Sequence, residues 1–212
     1  MNRSTINLHL GDSLEAMRGM ADNAYELAIV DPPYGIDVTK MTLGNGKKKI
    51  SRGNSDWDSS TPPPEYFNEL RRVSKNQIIW GANYMTENLP PSMGWVYWDK
   101  GTGANDFSDG ELAYTSFNRA LRSHKIGWVG ANAKDSDGRH HPTQKPVKLY
   151  EWLLTNYAKE GDKILDTHGG SMSIALACHN LKFDLDLYEL DADYHAAGVK
   201  RFEQHKQQIQ IF

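Results

Sequence analysis

The chain predicts an α/β fold, with a mostly parallel seven-stranded sheet and helices on both faces. Three observations carry this. Apolar runs of strand length alternate with helix-length segments from end to end. Two of those runs stop at an acidic residue and a turn. Leu27–Val30 leads into Asp31-Pro32-Pro33-Tyr34, and Lys163–Leu165 leads into Asp166-Thr167-His168-Gly169-Gly170-Ser171. The second turn enters an apolar helix, and such glycine turns let backbone approach a ligand closely.

Taken in order, strands are expected at 7–10, 27–30, 77–80, 95–98, 112–117, 163–165 and 183–187. Each is a short apolar or β-branched run bounded by turn residues. Helices are expected at 13–20, 65–73, 146–158, 173–181 and 191–207, where apolar residues recur at helical spacing. The segment 35–64 has little pattern, and Pro62-Pro63-Pro64 closes it before a helix. Structureless loops beyond ~15 residues are usually functional or disordered. It reads as a mobile loop facing the substrate, with a passive insertion as the plain alternative. A second irregular stretch spans 118–141.

With 212 residues the chain reads as one domain, 1–212, with a sizeable core. There is no secretory signal pattern, and no apolar run is long enough to span a bilayer. The single cysteine, Cys178, rules out an internal disulfide and a cysteine-rich metal site. A reducing cytoplasm suits it, and the expected role is core packing. No histidine or glutamate is spaced with Asp56, Asp58, Asp135 or Asp137 as metal ligands are, so no metal is expected. Gly-x-Ser-x-Gly is absent. Trp57, Trp80, Trp95, Trp98 and Trp128 read as core or wall.

The net charge of −3 counts mildly against nucleic acid. Binding DNA needs only a local positive face, however. Lys47, Lys48, Lys49 and Arg52 supply one candidate; Arg119, Arg122, His124, Lys125, Arg139, His140 and His141 supply another. Either cluster alone could be a solvated face.

The chemistry of Asp-Pro-Pro-Tyr fits an amino group on a flat base. Asp31 can accept one N–H, a carbonyl near Pro32 the other, and Tyr34 can stack on the ring. Pro32 and Pro33 fix φ, so the carbonyls hold their aim. An ordinary strand-to-loop exit is the bland alternative. Glu189 follows Asp166 by 23 residues, close to the ~20-residue offset at which an acidic side chain meets a ribose.

Asp31-Pro32-Pro33-Tyr34, His141-Pro142-Thr143-Gln144-Lys145-Pro146 and Asp166-Thr167-His168-Gly169-Gly170-Ser171, in that order, resemble the amino-methyltransferases of DNA that use S-adenosylmethionine. The flanks Gly11-Asp12-Ser13-Leu14, 66–73, 78–84 and 95–100 match too. The motif order resembles their permuted β group, and the likeness is strongest to small phage and prophage adenine methyltransferases. The resemblance implies a single-domain Rossmann-like methyltransferase fold with circularly permuted motifs. It implies methyl transfer from S-adenosylmethionine to the N6 amino group of a flipped adenine in double-stranded DNA. It assigns catalysis to Asp31, Pro32, Pro33 and Tyr34. It assigns the cofactor to Asp12, Asp31, Thr143, Gln144, Lys145, Asp166, His168, Gly169, Gly170, Ser171 and Glu189. Base and phosphate contacts would come from Tyr34, Lys47, Lys48, Lys49, Arg52, Phe107, Arg119 and Arg122, with 118–141 as a short target-recognition region. The setting implied is a bacterial or phage-infected cytoplasm and restriction-modification, with no membrane. A homodimer is compatible but nothing requires one.

The cofactor motif departs from the family's Asp-Pro-Phe-x-Gly-Ser-Gly: Thr167 replaces the proline, His168 the phenylalanine and Met172 the last glycine. The side chain of Met172 is expected where backbone should approach the cofactor. Alternatives stay open: cytosine N4 as target, RNA or protein as substrate, or a DNA-binding pseudoenzyme. Asp12 could be a plain helix cap.

Overall fold

A computed structural model describes residues 4–37, 42–43, 48–49, 58–102, 108–127 and 143–209. Its strands are β1 (Ile6–Leu10), β2 (Tyr25–Val30), β3 (Thr42–Leu43), β4 (Lys48–Lys49), β5 (Ser74–Trp80), β6 (Trp95–Asp99), β7 (Gly110–Thr115), β8 (Arg122–Lys125), β9 (Lys163–Asp166) and β10 (Asp184–Glu189). The helices are α1 (Ser13–Arg18), α2 (Pro64–Val73), α3 (Val147–Tyr157), α4 (Ser173–Leu181) and α5 (Ala192–Ile209). Among the described residues, β3 and β4 pair only with each other.

The remaining eight strands form one sheet in the order β1-β10-β9-β2-β5-β7-β6-β8. Pairing is parallel except where β7 runs against β5 and β6. The sheet has one strand more than the seven expected. The extra one, β8, is the polar edge segment Arg122-Ser123-His124-Lys125, in which only His124 is partly covered. A polar edge strand shows no apolar alternation, so its pattern was silent.

β2 and β9 are neighbours. The chain leaves β2 through α2 for β5 on one side, and leaves β9 through α4 for β10 on the other. A crevice therefore opens at their carboxyl ends, the place where such sheets bind ligands. Strand residues alternate between two cores, as the pleat requires. Leu27, Ile29, Ile78 and Ile164 pack with α3, α4 and Phe202 of α5 on one face. Ala28, Val30, Ile79 and Leu165 pack with Met17 of α1 and with Tyr66, Phe67 and Leu70 of α2 on the other. Cys178 is buried in the first of these cores.

Local signals set the helix ends. Asp12 caps α1 by accepting from the Leu14 N–H at 2.8 Å. Pro64 opens α2 at a position that needs no N–H. α4 ends at Lys182, in left-handed conformation at φ 63°.

Candidate active site

Asp31 stands at the exit of β2, in a largely buried ion-pair network centred on Lys145. Lys145 Nζ lies 2.6 Å from Asp31 Oδ2 and 3.0 Å from Glu111 Oε2. Lys100 Nζ meets the other Glu111 oxygen at 2.5 Å. The Tyr34 hydroxyl donates to Asp31 Oδ1 at 2.7 Å and receives a hydrogen bond from Lys145 at 3.1 Å. Two carboxylates and two ammonium groups thus balance. Burial pushes the Asp31 carboxyl above its ordinary range and outweighs the opposing charge of Lys145. Burial acts on Glu111 in the same direction, yet Lys145 and Lys100 together hold it down at about 2. Burial would lower Lys145, but the two carboxylates keep it above the ordinary lysine value.

Tyr34 is fixed from three sides. Asp58, itself buried, accepts from the backbone N–H of Tyr34 at 2.8 Å and of Gly35 at 3.2 Å. The half-exposed Tyr84 stacks on the Tyr34 ring, with centroids 5.3 Å apart and planes 15° apart. Gly81, at φ +64°, lies against the ring; a Cβ there would sit 2.0 Å from Tyr34 Cε1. Gly81→Ala therefore drives Tyr34 out of place. Its expected result is a loss of stability of about 1–3 kcal/mol from overpacking, read from denaturant melts.

Asp166 ends β9, Glu189 ends β10 and Asp12 follows β1. Their hydrogen-bond donors among the described residues are backbone N–H groups: His168 for Asp166, Gly170 and Asp191 for Glu189, Leu14 and Glu15 for Asp12. Among the described residues none of the three forms an ion pair, so all can accept from hydroxyl, amino or ammonium groups. This acceptor set fits a cofactor with ribose hydroxyls and an ammonium group. Burial raises the Asp166 carboxyl to about 8, and burial raises that of Glu189 too.

The turn between β9 and α4 resolves the question posed by Met172. Its backbone keeps the left-handed conformation that glycine would supply, at φ 57°. Its side chain leaves the turn, is fully buried, and lies against Gly198 of α5. A Cβ on Gly198 would come within 2.6 Å of Met172 Sδ. The expectation of a methionine side chain facing the cofactor is thus corrected. The cost is backbone strain at a non-glycine residue, of order 1–3 kcal/mol. Arg201 supports the turn from behind, donating to the Ser171 carbonyl at 2.6 Å and to Ser173 Oγ at 3.0 Å.

The structure brings Asp31, Pro32, Pro33, Tyr34 and Lys145 to one side of the crevice. Asp166, His168, Gly169, Gly170, Ser171, Glu189 and Asp12 lie on the other. The three donors of Lys145 go to Asp31, Glu111 and Tyr34. Thr143 and Gln144 lead into α3, with Gln144 buried. Arg119 and Arg122 are not brought to the crevice. Arg119 follows the antiparallel β7 and Arg122 begins β8, so both lie toward the opposite end of the sheet. Arg119 donates to the Asn156 carbonyl at 2.6 Å. Lys47, Arg52, Phe107, Arg139, His140 and His141 lie outside the described residues, as do Trp57 and Trp128. For Lys48 and Lys49 only the backbone pairing of β4 is described. Glu111, Lys100, Tyr66 and Tyr84 were missed as site residues. A charge at the mouth of an apolar strand, as at Glu111, was the available signal.

A family model described as "DNA methylase" (N6_N4_Mtase) matches residues 79–200. The type II methyltransferase M2.MboI of Moraxella bovis is 24% identical, over 81% of this chain and 78% of its own length. M2.DpnII of Streptococcus pneumoniae is 22% identical, over 95% of this chain and 91% of its own. Among solved structures, the M1.HpyAVI–SAM complex superposes with a TM-score of 0.57 at 19% identity, covering 93% of this chain and all of that one. The cytosine-N4-specific PvuII DNA methyltransferase gives 0.63 at 13% identity, covering 97% and 92%. These superpositions show the fold, and the family model spans more than half of the chain. The chain belongs to the N6/N4 DNA methylase family, the S-adenosylmethionine-dependent amino-methyltransferases of DNA.

Proposed function

We propose that this DNA methyltransferase acts on the N6 amino group of adenine, taken out of the duplex into the crevice beside Asp31. The observation that carries the reading is the position of Asp31 at the β2–β9 switch point, with an aromatic ring on one side and the acceptor-lined turn on the other. An aspartate, not a serine, at this position favours adenine over cytosine N4. Cytosine N4 is the second reading, and a fold neighbour has that specificity.

An exocyclic amine is a poor nucleophile because its lone pair is conjugated into the ring. The lone pairs still free on Asp31 accept an amine hydrogen and draw the nitrogen toward a pyramidal shape. Its charge offsets the positive charge that develops on that nitrogen. Lys145 and Glu111 hold the carboxylate in place, so little reorganisation is needed during reaction. Tyr34 stacks on the extruded base, offsetting part of the few kcal/mol that flipping costs. Asp166 and Gly170 line the amino-acid portion of the cofactor, and Glu189 its ribose. The bound cofactor supplies a methyl group activated by its sulfonium, so transfer needs mostly positioning. Lys47, Lys48, Lys49 and Arg52 are proposed to contact phosphates of double-stranded DNA.

The decisive experiment is tritium transfer from labelled S-adenosylmethionine into DNA, RNA and protein, followed by nucleoside digestion. Label in N6-methyladenine supports the reading. Label in N4-methylcytosine, or in RNA or protein, replaces it.

A pH dependence follows from Asp166. Free, it holds a proton at neutral pH because its value lies near 8. A ligand ammonium favours the ionised form, so binding releases that proton. Lowering the pH from 8 to 6 is expected to weaken S-adenosylhomocysteine binding, by up to about tenfold per unit. Calorimetry in buffers of different ionisation enthalpy should show the proton leaving. The Asp166→Asn variant should lose both effects.

A further inference from the structure

Thr167 and His168 stand at the heart of the turn after β9, and they form the end of a buried hydrogen-bond chain. The Tyr66 hydroxyl on α2 lies 2.6 Å from Thr167 Oγ1. Thr167 Oγ1 lies 2.9 Å from His168 Nδ1. Tyr66 and Thr167 are both buried. The His168 ring meets Tyr66 at an angle of 67°, with centroids 5.4 Å apart.

The hydrogens in this chain can be counted. Burial keeps Tyr66 as the neutral phenol, with one hydrogen to place. Its one hydrogen-bond partner among the described residues is Thr167 Oγ1. If Thr167 donated to Tyr66, the phenol hydrogen would be left in the core without an acceptor, which folded proteins avoid. Tyr66 therefore donates to Thr167. The threonine hydrogen is then free to point at His168 Nδ1. If Nδ1 carried the proton and donated instead, the threonine hydrogen would have no acceptor among the described residues, so Nδ1 accepts and the imidazole proton sits on Nε2. Nε2 has no hydrogen-bond partner among the described residues. Burial also lowers His168 to about 4, so the ring is neutral at physiological pH. A neutral donor is what a site for a cationic cofactor needs, since an imidazolium would repel the sulfonium.

We propose that Tyr66 and Thr167 lock His168 in the Nε2–H tautomer, and that this N–H donates to a ring nitrogen or ribose oxygen of the adenosine portion of S-adenosylmethionine. The neighbouring Asp12 carboxylate favours a neutral acceptor there over the cofactor's own carboxylate; its charge acts on His168. A phenylalanine at 168 could stack on the adenosine but could not donate. The inference rests on the cofactor reading given above, and names a contact that the Thr167-His168 pair makes possible.

Two measurements test it. Long-range proton–nitrogen spectra of the histidine-labelled free protein should show Nδ1 unprotonated and Nε2 protonated at residue 168. The opposite tautomer overturns the relay, with no ligand involved. Calorimetry should then compare S-adenosylhomocysteine with 5′-methylthioadenosine, which lacks the amino-acid portion. His168→Phe, which keeps an aromatic ring, should weaken both by about 3- to 10-fold, the worth of one hydrogen bond. Tyr66→Phe and Thr167→Val, which release the tautomer, should weaken both by a smaller factor. Unchanged affinity in His168→Phe overturns the proposal. So does a loss confined to S-adenosylhomocysteine, which would place the contact on the amino-acid portion. If the wild-type protein bound neither ligand, the cofactor reading itself would fall, and this inference with it.

Discussion

Asp31→Ala is expected to lower methyl transfer by about 10²- to 10³-fold, the usual worth of one preorganised electrostatic contact to the transition state. Affinity for S-adenosylhomocysteine should stay close to the wild-type value. Three features of the site set this expectation. Asp31 lies at the exit of β2, on the Tyr34 side of the crevice, while Asp166, Glu189 and Asp12 end the strands on the other side. Its loss leaves Lys145 still paired with Glu111 at 3.0 Å, so the buried cation is not stranded. Tyr34 keeps its ring contacts with Tyr84 and its backbone bond to Asp58. Asp31→Asn keeps an acceptor oxygen and loses the charge, so its rate should fall between wild type and alanine. The pH profile separates chemistry from packing. Burial raises the Asp31 carboxyl, and only the ionised form can offset charge on the amine. The wild-type rate should therefore fall as pH drops through that raised value, and Asp31→Asn should lack this limb. An alanine variant with more than a tenth of the wild-type rate at saturating substrate would leave Asp31 a structural residue.

Much of this architecture was legible in the sequence, for identifiable reasons. Leu27–Val30 is apolar throughout because β2 is covered on both faces, and such a run ending at Asp-Pro-Pro marks a buried strand and its exit. The helix over 173–181 was read to the residue because its apolar content stops at the left-handed Lys182. Besides the polar edge strand β8, three things were not legible. β5 begins at Ser74, earlier than expected, because Lys75 and Asn76 break the apolar pattern at the strand mouth. Glu111 reaches Tyr34 across 77 residues of chain only because β7 inserts antiparallel beside β5. Local periodicity holds no record of such a pairing. The fate of Met172 depends on Gly198, 26 residues away on α5, whose missing side chain makes the room. A motif comparison sees the lost glycine and cannot see the space that receives the methionine.

Lys145→Met should produce the largest loss of stability of any single change at this site. The ammonium lies between Asp31 and Glu111, almost wholly shielded from water. Methionine fills much the same volume but leaves two largely shielded carboxylates, 17% and 22% exposed, with Lys100 reaching only Glu111. Breaking a buried pair in this way costs about 3–5 kcal/mol. In a chain of this size that corresponds to a melting temperature lower by roughly 6–20 °C. The pH dependence has a definite sign. In the wild type, Glu111 is held down at about 2. It therefore contributes stability above the ordinary glutamate value, and that contribution is lost as pH falls toward 2. Lys145 is raised, so its contribution holds below the ordinary lysine value and is lost as pH rises through the folded one. Without Lys145 both carboxyls shift upward in the folded state and favour their protonated forms. The deficit of the variant should thus be greatest near neutral pH and shrink as pH falls toward 5. Adding Glu111→Gln removes one of the two stranded charges and should recover part of the stability, while methyl transfer stays low. Denaturant melts of wild type, Lys145→Met and the double variant at pH 7.5 and 5 decide the matter. A deficit that does not change with pH, or a double variant no more stable than the single, would mean that Lys145 acts through packing and not through its charge.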